Sequence, residues 1–149
     1  MGASIDLTGH HFVASLRPDW QQLLADQARP FTRAAGEYLA REGELATDFF
    51  LITSGTVAIE IRHPLRGPLT VQTAGAGEVV GWSWMLPPYR WQFDARAVTD
   101  VAGAALDAAW LREQLETDHH LGYHLCKELL GVLSSRLAAT RVRVLDLYR

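Results

Sequence analysis

The sequence is poor in most of the residues and patterns that announce chemistry. Only one cysteine, Cys126, stands among its 149 residues. An intramolecular disulfide is therefore impossible, and a cysteine-built zinc site is excluded. Cys126 is expected to be a helix-packing residue. Lysine is nearly missing too: Lys127 is alone against 13 arginines. The net charge is −3, so the chain carries no basic footprint for nonspecific nucleic-acid or anionic-membrane binding. No apolar run approaches the ~20 residues of a membrane span. Asp6, His10 and His11 break up the start, which leaves no signal-peptide core, and a cytoplasmic location is expected.

Catalytic signatures are lacking as well. There is no Gly-x-Ser-x-Gly elbow, no Walker loop and no Cys–His pair with an orienting residue. Between residues 31 and 107 the only histidine is His63, too few for the His-x-His metal set of a barrel enzyme. His120 and His124 stand four apart and share a helix face, but no third ligand or His-Glu-x-x-His pattern accompanies them. His10-His11 reads as surface or partner contact. No metal, no resident cofactor and no enzymatic activity are expected.

What is present is ordinary globular material, 48% hydrophobic, in a length that suits a single domain over residues 1–149. Three textures follow one another. Residues 1–30 form an N-terminal helical part: the first fifteen lack periodicity, then Pro18-Asp19-Trp20 opens a helix with Trp20, Leu23, Leu24 and Gln27 on one face. Arg29-Pro30 ends it, because the residue before proline is pushed out of the helical region. Residues 31–107 are short runs punctuated by glycine. Phe49 to Ile52 is an apolar strand; Val57, Ile59 and Ile61 alternate with Ala58, Glu60 and Arg62; Pro64 to Pro68 connects to Leu69, Val71 and Thr73; Ala95 to Leu106 makes a last strand region. Several short strands at such spacing indicate a sandwich or barrel. Residues 108–147 are helical, with a short helix over 108–117 and a long one from about Leu121 to Leu147. The long helix carries a stripe of Leu125, Leu129, Leu133, Leu137, Thr140, Val144 and Leu147. At 1.5 Å per residue it would run ~40 Å, longer than a small barrel is wide. Part of the stripe is therefore expected to pack on a second copy of the chain, with Leu133 and Leu137 near the centre and Arg136, Arg141 and Arg143 flanking the seam.

The order of these features carries a resemblance. Glu42-Gly43 precedes the strand ending Phe50-Leu51-Ile52, with Gly55-Thr56-Val57 after it. Gly75-Ala76-Gly77-Glu78-Val79-Val80-Gly81 follows a hairpin. Ala95-Arg96-Ala97 leads to Leu106-Asp107, and a long helix with Ser135-Arg136-Leu137 closes the chain. From Trp20 to Leu147 this resembles the cyclic-nucleotide-binding domain of the bacterial cyclic-AMP receptor protein superfamily. The resemblance implies a mainly β fold with flanking helices, a jelly-roll β-barrel followed by a long C-terminal helix. It also implies dimerisation through that helix and a regulatory, ligand-sensing role in signal transduction. In the family a short helix after the glycine turn binds the cyclic phosphate, a Glu after the Gly holds the ribose, and the Arg of an Arg-Ser-Ala triplet pairs with the phosphate. Family members that act as transcription factors continue into a helix-turn-helix; this sequence ends at Arg149, so direct DNA binding is not expected.

The resemblance breaks at the ligand. Trp82 follows Gly81 where the family has Glu, and Trp91-Gln92-Phe93 stands where Arg-Ser-Ala is found. Between them lie Ser83, Trp84, Tyr89 and Arg90, with Arg90 one place out of register. The candidate ligand-binding residues are Glu78, Gly81, Trp82, Ser83, Trp84, Arg90, Trp91, Gln92 and Thr140; the last matches a family position that contacts adenine. The candidate dimer interface is Leu125, Leu129, Leu133, Leu137 and Val144. Three readings stay open: a regulatory or sensor domain that takes a small ligand other than cyclic AMP, or a protein partner, through its aromatic segment; a true cyclic AMP or cyclic GMP receptor using Arg90; and a structural interaction subunit whose pocket is filled by its own rings.

Overall fold

Proline, glycine and alternating apolar residues set the element boundaries of this chain. In a computed structural model, the structure describes residue 7 and residues 9–147, apart from the side chains at 143, 144 and 147. A single helical turn, α1 (His11–Ala14), buries Phe12 and Val13, where no periodicity had pointed to structure. The next helix, α2 (Pro18–Gln27), starts with proline in its first turn and Asp19 near its positive end. It buries Trp20, Leu24 and Ala25; Gln27, expected on that face, is exposed.

Eight strands follow: β1 (Arg29–Arg33), β2 (Tyr38–Ala40), β3 (Asp48–Ser54), β4 (Val57–His63), β5 (Gly67–Ala74), β6 (Val79–Val80), β7 (Asp94–Ala97) and β8 (Val101–Asp107). They form two four-stranded sheets in the orders β1-β8-β3-β6 and β2-β7-β4-β5, with every pairing antiparallel. This is the jelly-roll arrangement, built as two sheets rather than one closed barrel. The run expected as one strand from Ala95 to Leu106 is two strands in different sheets. The corner Val98-Thr99-Asp100 changes sheets. Its backbone and side chains take up partners there: Val98 N–H donates to Thr56 O, Thr99 Oγ1 accepts from Thr56 N–H, and Asp100 Oδ1 accepts from Ala35 N–H.

Phe49 and Phe50 are both buried, and neighbouring residues of a strand face opposite ways, so β3 is covered on both sides. On the second sheet, two buried carboxylates are paired rather than orphaned. Glu60 meets Arg96 at 3.1 Å, and Asp94 accepts from Glu42 N–H at 2.8 Å beside Arg62 and Arg41. Two helices close the domain. Asp107 caps α3 (Ala108–Thr117) by accepting from Trp110 N–H, and α4 (His119–Leu147) follows. The start of α4 meets α2 where the rings of His120 and His124 lie 5.5 and 5.3 Å from Trp20. Cys126, expected in the packing, is exposed. No helix among the described residues is long and apolar enough to cross a membrane, and no group of His, Cys, Asp and Glu there is placed to hold a metal ion.

The α4 stripe divides. Leu125 is 0% exposed and Leu129 3%, both inside their own domain and out of reach of a partner. Leu133 is half-buried and Leu137 is 62% exposed. The side chain of Val144 lies outside the described residues. Arg136, expected beside a seam, is instead buried, on the same helix face as Leu121, Leu125, Leu129 and Val132.

Candidate functional site

The segment between β6 and β7 is where the sequence placed its ligand chemistry. No helix forms there; residues 82–88 are turns and bends. Pro87-Pro88 withholds two backbone donors from the stretch. The helix N-terminus that the resemblance implied for a phosphate is therefore missing from this segment.

The segment instead sends its rings inward. Gly81 adopts φ +103°, and a Cβ on it would lie 2.5 Å from the Trp91 ring. Only glycine allows both that backbone and that approach. Trp91 and Phe93 are buried with ring centres 5.7 Å apart, and Trp82 lies 5.2 Å from Phe93. Trp91 also stacks on Phe50, which meets Phe31 edge-on. Trp84 turns the other way, 5.2 Å from Phe49, and donates its indole N–H to Gly81 O. The rings thus pack in two sets, one against Phe49 and one against Phe50 on the other side of β3.

The polar candidates are dispersed. Arg90 is exposed and donates to Gly43 O at 2.8 Å, away from the rings. The loop before β3 holds this path: Trp91 N–H donates to Glu44 O, and the N–H groups of Gly43 and Ala46 donate to Trp91 O and Tyr89 O. Gln92 is exposed and donates to Arg90 O. Ser83 is buried, with no hydrogen-bond partner for its hydroxyl. Thr140 spends its hydroxyl on Arg136 O one turn earlier.

Arg136 is the charged group that reaches this interior, and the sequence reading assigned it elsewhere. It is 8% exposed. One guanidinium nitrogen donates to Val79 O, and the guanidinium lies 5.8 Å from the Trp82 ring. Its Nη1 has no partner. Burial lowers its pKa, opposed by the nearby charge of Glu78. A groove of about 320 Å³ opens beside it, between α4, the β5–β6 turn and α1. Glu78 lines that groove and accepts from Gly75 N–H. Of the predicted ligand residues, only Glu78 reaches the groove; none from 81–93 does. The signal that pointed to Arg136 was in the sequence: a charge on the apolar face of a helix.

A family model described as the cyclic nucleotide-binding domain matches residues 31–118. The chain is 31% identical over 137 residues to the acetyltransferase Pat of Mycolicibacterium smegmatis, covering 90% of this chain and 38% of that protein. The chain thus spans well under half the length of this curated relative. A Geobacter metallireducens GS-15 structure, solved as a candidate cyclic nucleotide-binding protein, has a TM-score of 0.79 at 25% identity, covering 92% of this chain and 99% of that one. A cyclic nucleotide-binding domain from Methylobacillus flagellatus KT also superposes with a TM-score of 0.79, at 21% identity, covering 92% of this chain and 80% of that one.

Proposed function

The chain belongs to the cyclic nucleotide-binding domain family, and from that premise we propose that it is a non-enzymatic regulatory module that works without a cyclic nucleotide. One observation carries this reading. Trp91 and Phe93 are buried in the fold with the half-buried Trp82 packed on Phe93, and the nearest cassette arginine, Arg90, points out to Gly43 O. A cyclic phosphate would have to be stripped of water among aromatic carbons, with no cassette guanidinium to pair with it. Burying a charge without a partner is costly. Calorimetric titration with cyclic AMP and cyclic GMP tests the reading. Dissociation constants weaker than about 100 μM are expected, about −5.5 kcal/mol. Micromolar binding that Arg90→Ala abolishes would support a genuine receptor instead.

The output surface in this reading is the outward face of α4. Tyr123, Leu130 and Leu137 are exposed at intervals of seven, with Cys126, Leu133 and Thr140 each three places on. A seven-residue apolar repeat is the pattern of a helix seam between two copies. The reading is therefore a homodimer joined along this stripe, with a change in α4 position as the signal a partner protein would read.

A further inference from the structure

The groove beside Arg136 lies outside the aromatic segment and is not filled by it. Three independent observations mark it as a built site. The first is Arg136 itself, more than nine-tenths buried, which lines the groove and carries an unpartnered Nη1. The second is charge. Glu78 and Glu128 also line the groove, and neither takes part in a salt bridge among the described residues. The lining thus sets two carboxylates against one guanidinium. A simple anion would meet net repulsion there, whereas a molecule carrying both signs would not.

The third is Gly131. A glycine inside a helix is destabilising relative to alanine, so its presence calls for a reason. At Gly122, on the same helix, the reason is packing: a Cβ would lie 3.0 Å from Leu115 O. At Gly131 a Cβ would meet nothing within 4 Å. What the missing side chain leaves is the groove it lines. Phe12, Val79 and Val132 supply an apolar wall to the same space. Its volume of about 320 Å³ lies at the small end for ligand pockets.

We propose that this groove binds a free α-amino acid with an apolar side chain, its carboxylate on the Arg136 guanidinium and its ammonium facing Glu78 and Glu128. The guanidinium donates to the carboxylate, the two glutamates accept from the ammonium, and the side chain lies along Phe12 and Val132. Because α1, the β5–β6 turn and α4 all contribute, the ligand would tie the long helix to the body of the domain. The inference rests on the reading of the domain as a regulatory module and gives that module an input.

The test is calorimetric titration of the full chain with L-leucine and L-phenylalanine, and with two leucine analogues: L-leucinamide, without the carboxylate, and 4-methylpentanoate, without the ammonium. At least one amino acid should bind, and each analogue should bind about tenfold more weakly or worse, since each loses a charge-assisted contact. Gly131→Leu should remove binding while leaving the melting temperature the same or higher, because the new side chain enters open space and favours the helix. Glu128→Gln should narrow the gap between L-leucine and 4-methylpentanoate. No heat with either amino acid at about 10 mM, weaker than any useful affinity, overturns the proposal. So does binding that survives Gly131→Leu, or 4-methylpentanoate binding more tightly than L-leucine. Cyclic AMP titrated into the same samples separates the two readings. Nucleotide binding that Gly131→Leu leaves intact strikes the nucleotide-independent reading alone, while silence toward both probes strikes the amino-acid site alone.

Discussion

Two spaces lie against the same stretch of α4 and are treated in opposite ways. The space under the 81–93 segment is packed with Trp82, Trp91 and Phe93. The space between α4 and the β5–β6 turn holds Arg136, Glu78 and Glu128 around an open groove. Arg136 borders both, with Trp82 near its guanidinium and Glu78 near its charge. In the reading proposed above, a fold built around a ligand chamber closes that chamber with its own side chains. A polar feature can then remain beside it, in a place the family pattern does not mark.

The largest expected effect is on the closed side. Trp91→Ala removes a buried ring that packs on Phe50, Phe93 and Gly81. Urea unfolding followed by circular dichroism should show a loss of about 3–5 kcal/mol. A loss under about 1 kcal/mol would mean the rings are not the core and that the comparison fails. Next comes the outer face of α4. Leu130 is 66% exposed, and Leu130→Asp would place a charge in the seam of the proposed dimer, at a cost on the order of 3 kcal/mol or more. Light scattering should find a dimer for the wild type and a monomer for the variant. A monomeric wild type, or a dimer indifferent to Leu130→Asp, would remove the seam from the account.

His10 gives a smaller, pH-dependent effect on the groove side. It is buried next to α1, with Nε2 3.1 Å from Glu78 O and Nδ1 without a partner. Burial lowers its pKa, outweighing the carbonyls of Glu78 and Ile52, and His11 adds to the lowering. The unfolded chain then binds a proton more readily than the folded one. The His10 contribution is fully present above about pH 6.5 and is lost as the pH falls below it, by at most about 1.4 kcal/mol per pH unit. Unfolding free energies at successive pH values for wild type and His10→Gln should diverge least at low pH. A difference that stays flat through this window would show that His10 is not the titrating group. The smallest effect is expected at Arg90. Arg90→Ala removes one exposed hydrogen bond to Gly43 O and should change stability by less than about 0.5 kcal/mol; a larger loss in the same urea experiment would give Arg90 a structural role.

The order of helix, strands and helices was legible in the sequence because short apolar runs such as Phe49 to Ile52 are bounded by glycines and Pro30 marks the end of the first helix. The alternation in β4 was no guide to its faces, since Val57 to Glu60 are all buried and Ile61 to His63 all exposed. The split between β7 and β8 was not, because Val98 puts an apolar residue in the corner and hides the break. The α4 stripe misled for a geometric reason. A spacing of four advances 40° beyond a full turn each time, so Leu137 stands about 120° around the helix from Leu125. One can be buried while the other is exposed, as they are here. The seven-residue spacing of Tyr123, Leu130 and Leu137 drifts only about 20° per step, and it is that series which stays on one face. At the site, the departure from the family pattern that the resemblance implies stood at Trp82 and Trp91. The inward direction of the rings was not, since it depends on the loop at 43–46 that clamps Tyr89 and Trp91. The groove was hidden because His11, Glu78, Glu128 and Arg136 come from segments far apart in the sequence.

The central claim is that the chamber under the 81–93 segment is occupied by the protein itself. The chain has five tryptophans, each with one indole N–H that gives its own nuclear magnetic resonance signal. Titration of ¹⁵N-labelled protein with cyclic AMP to about 1 mM, well past the expected threshold of binding, reads the chamber directly. The signals of Trp82 and Trp91 are predicted to stay where they are. A saturating shift of both at micromolar nucleotide would show that the rings yield to the ligand and would contradict the account.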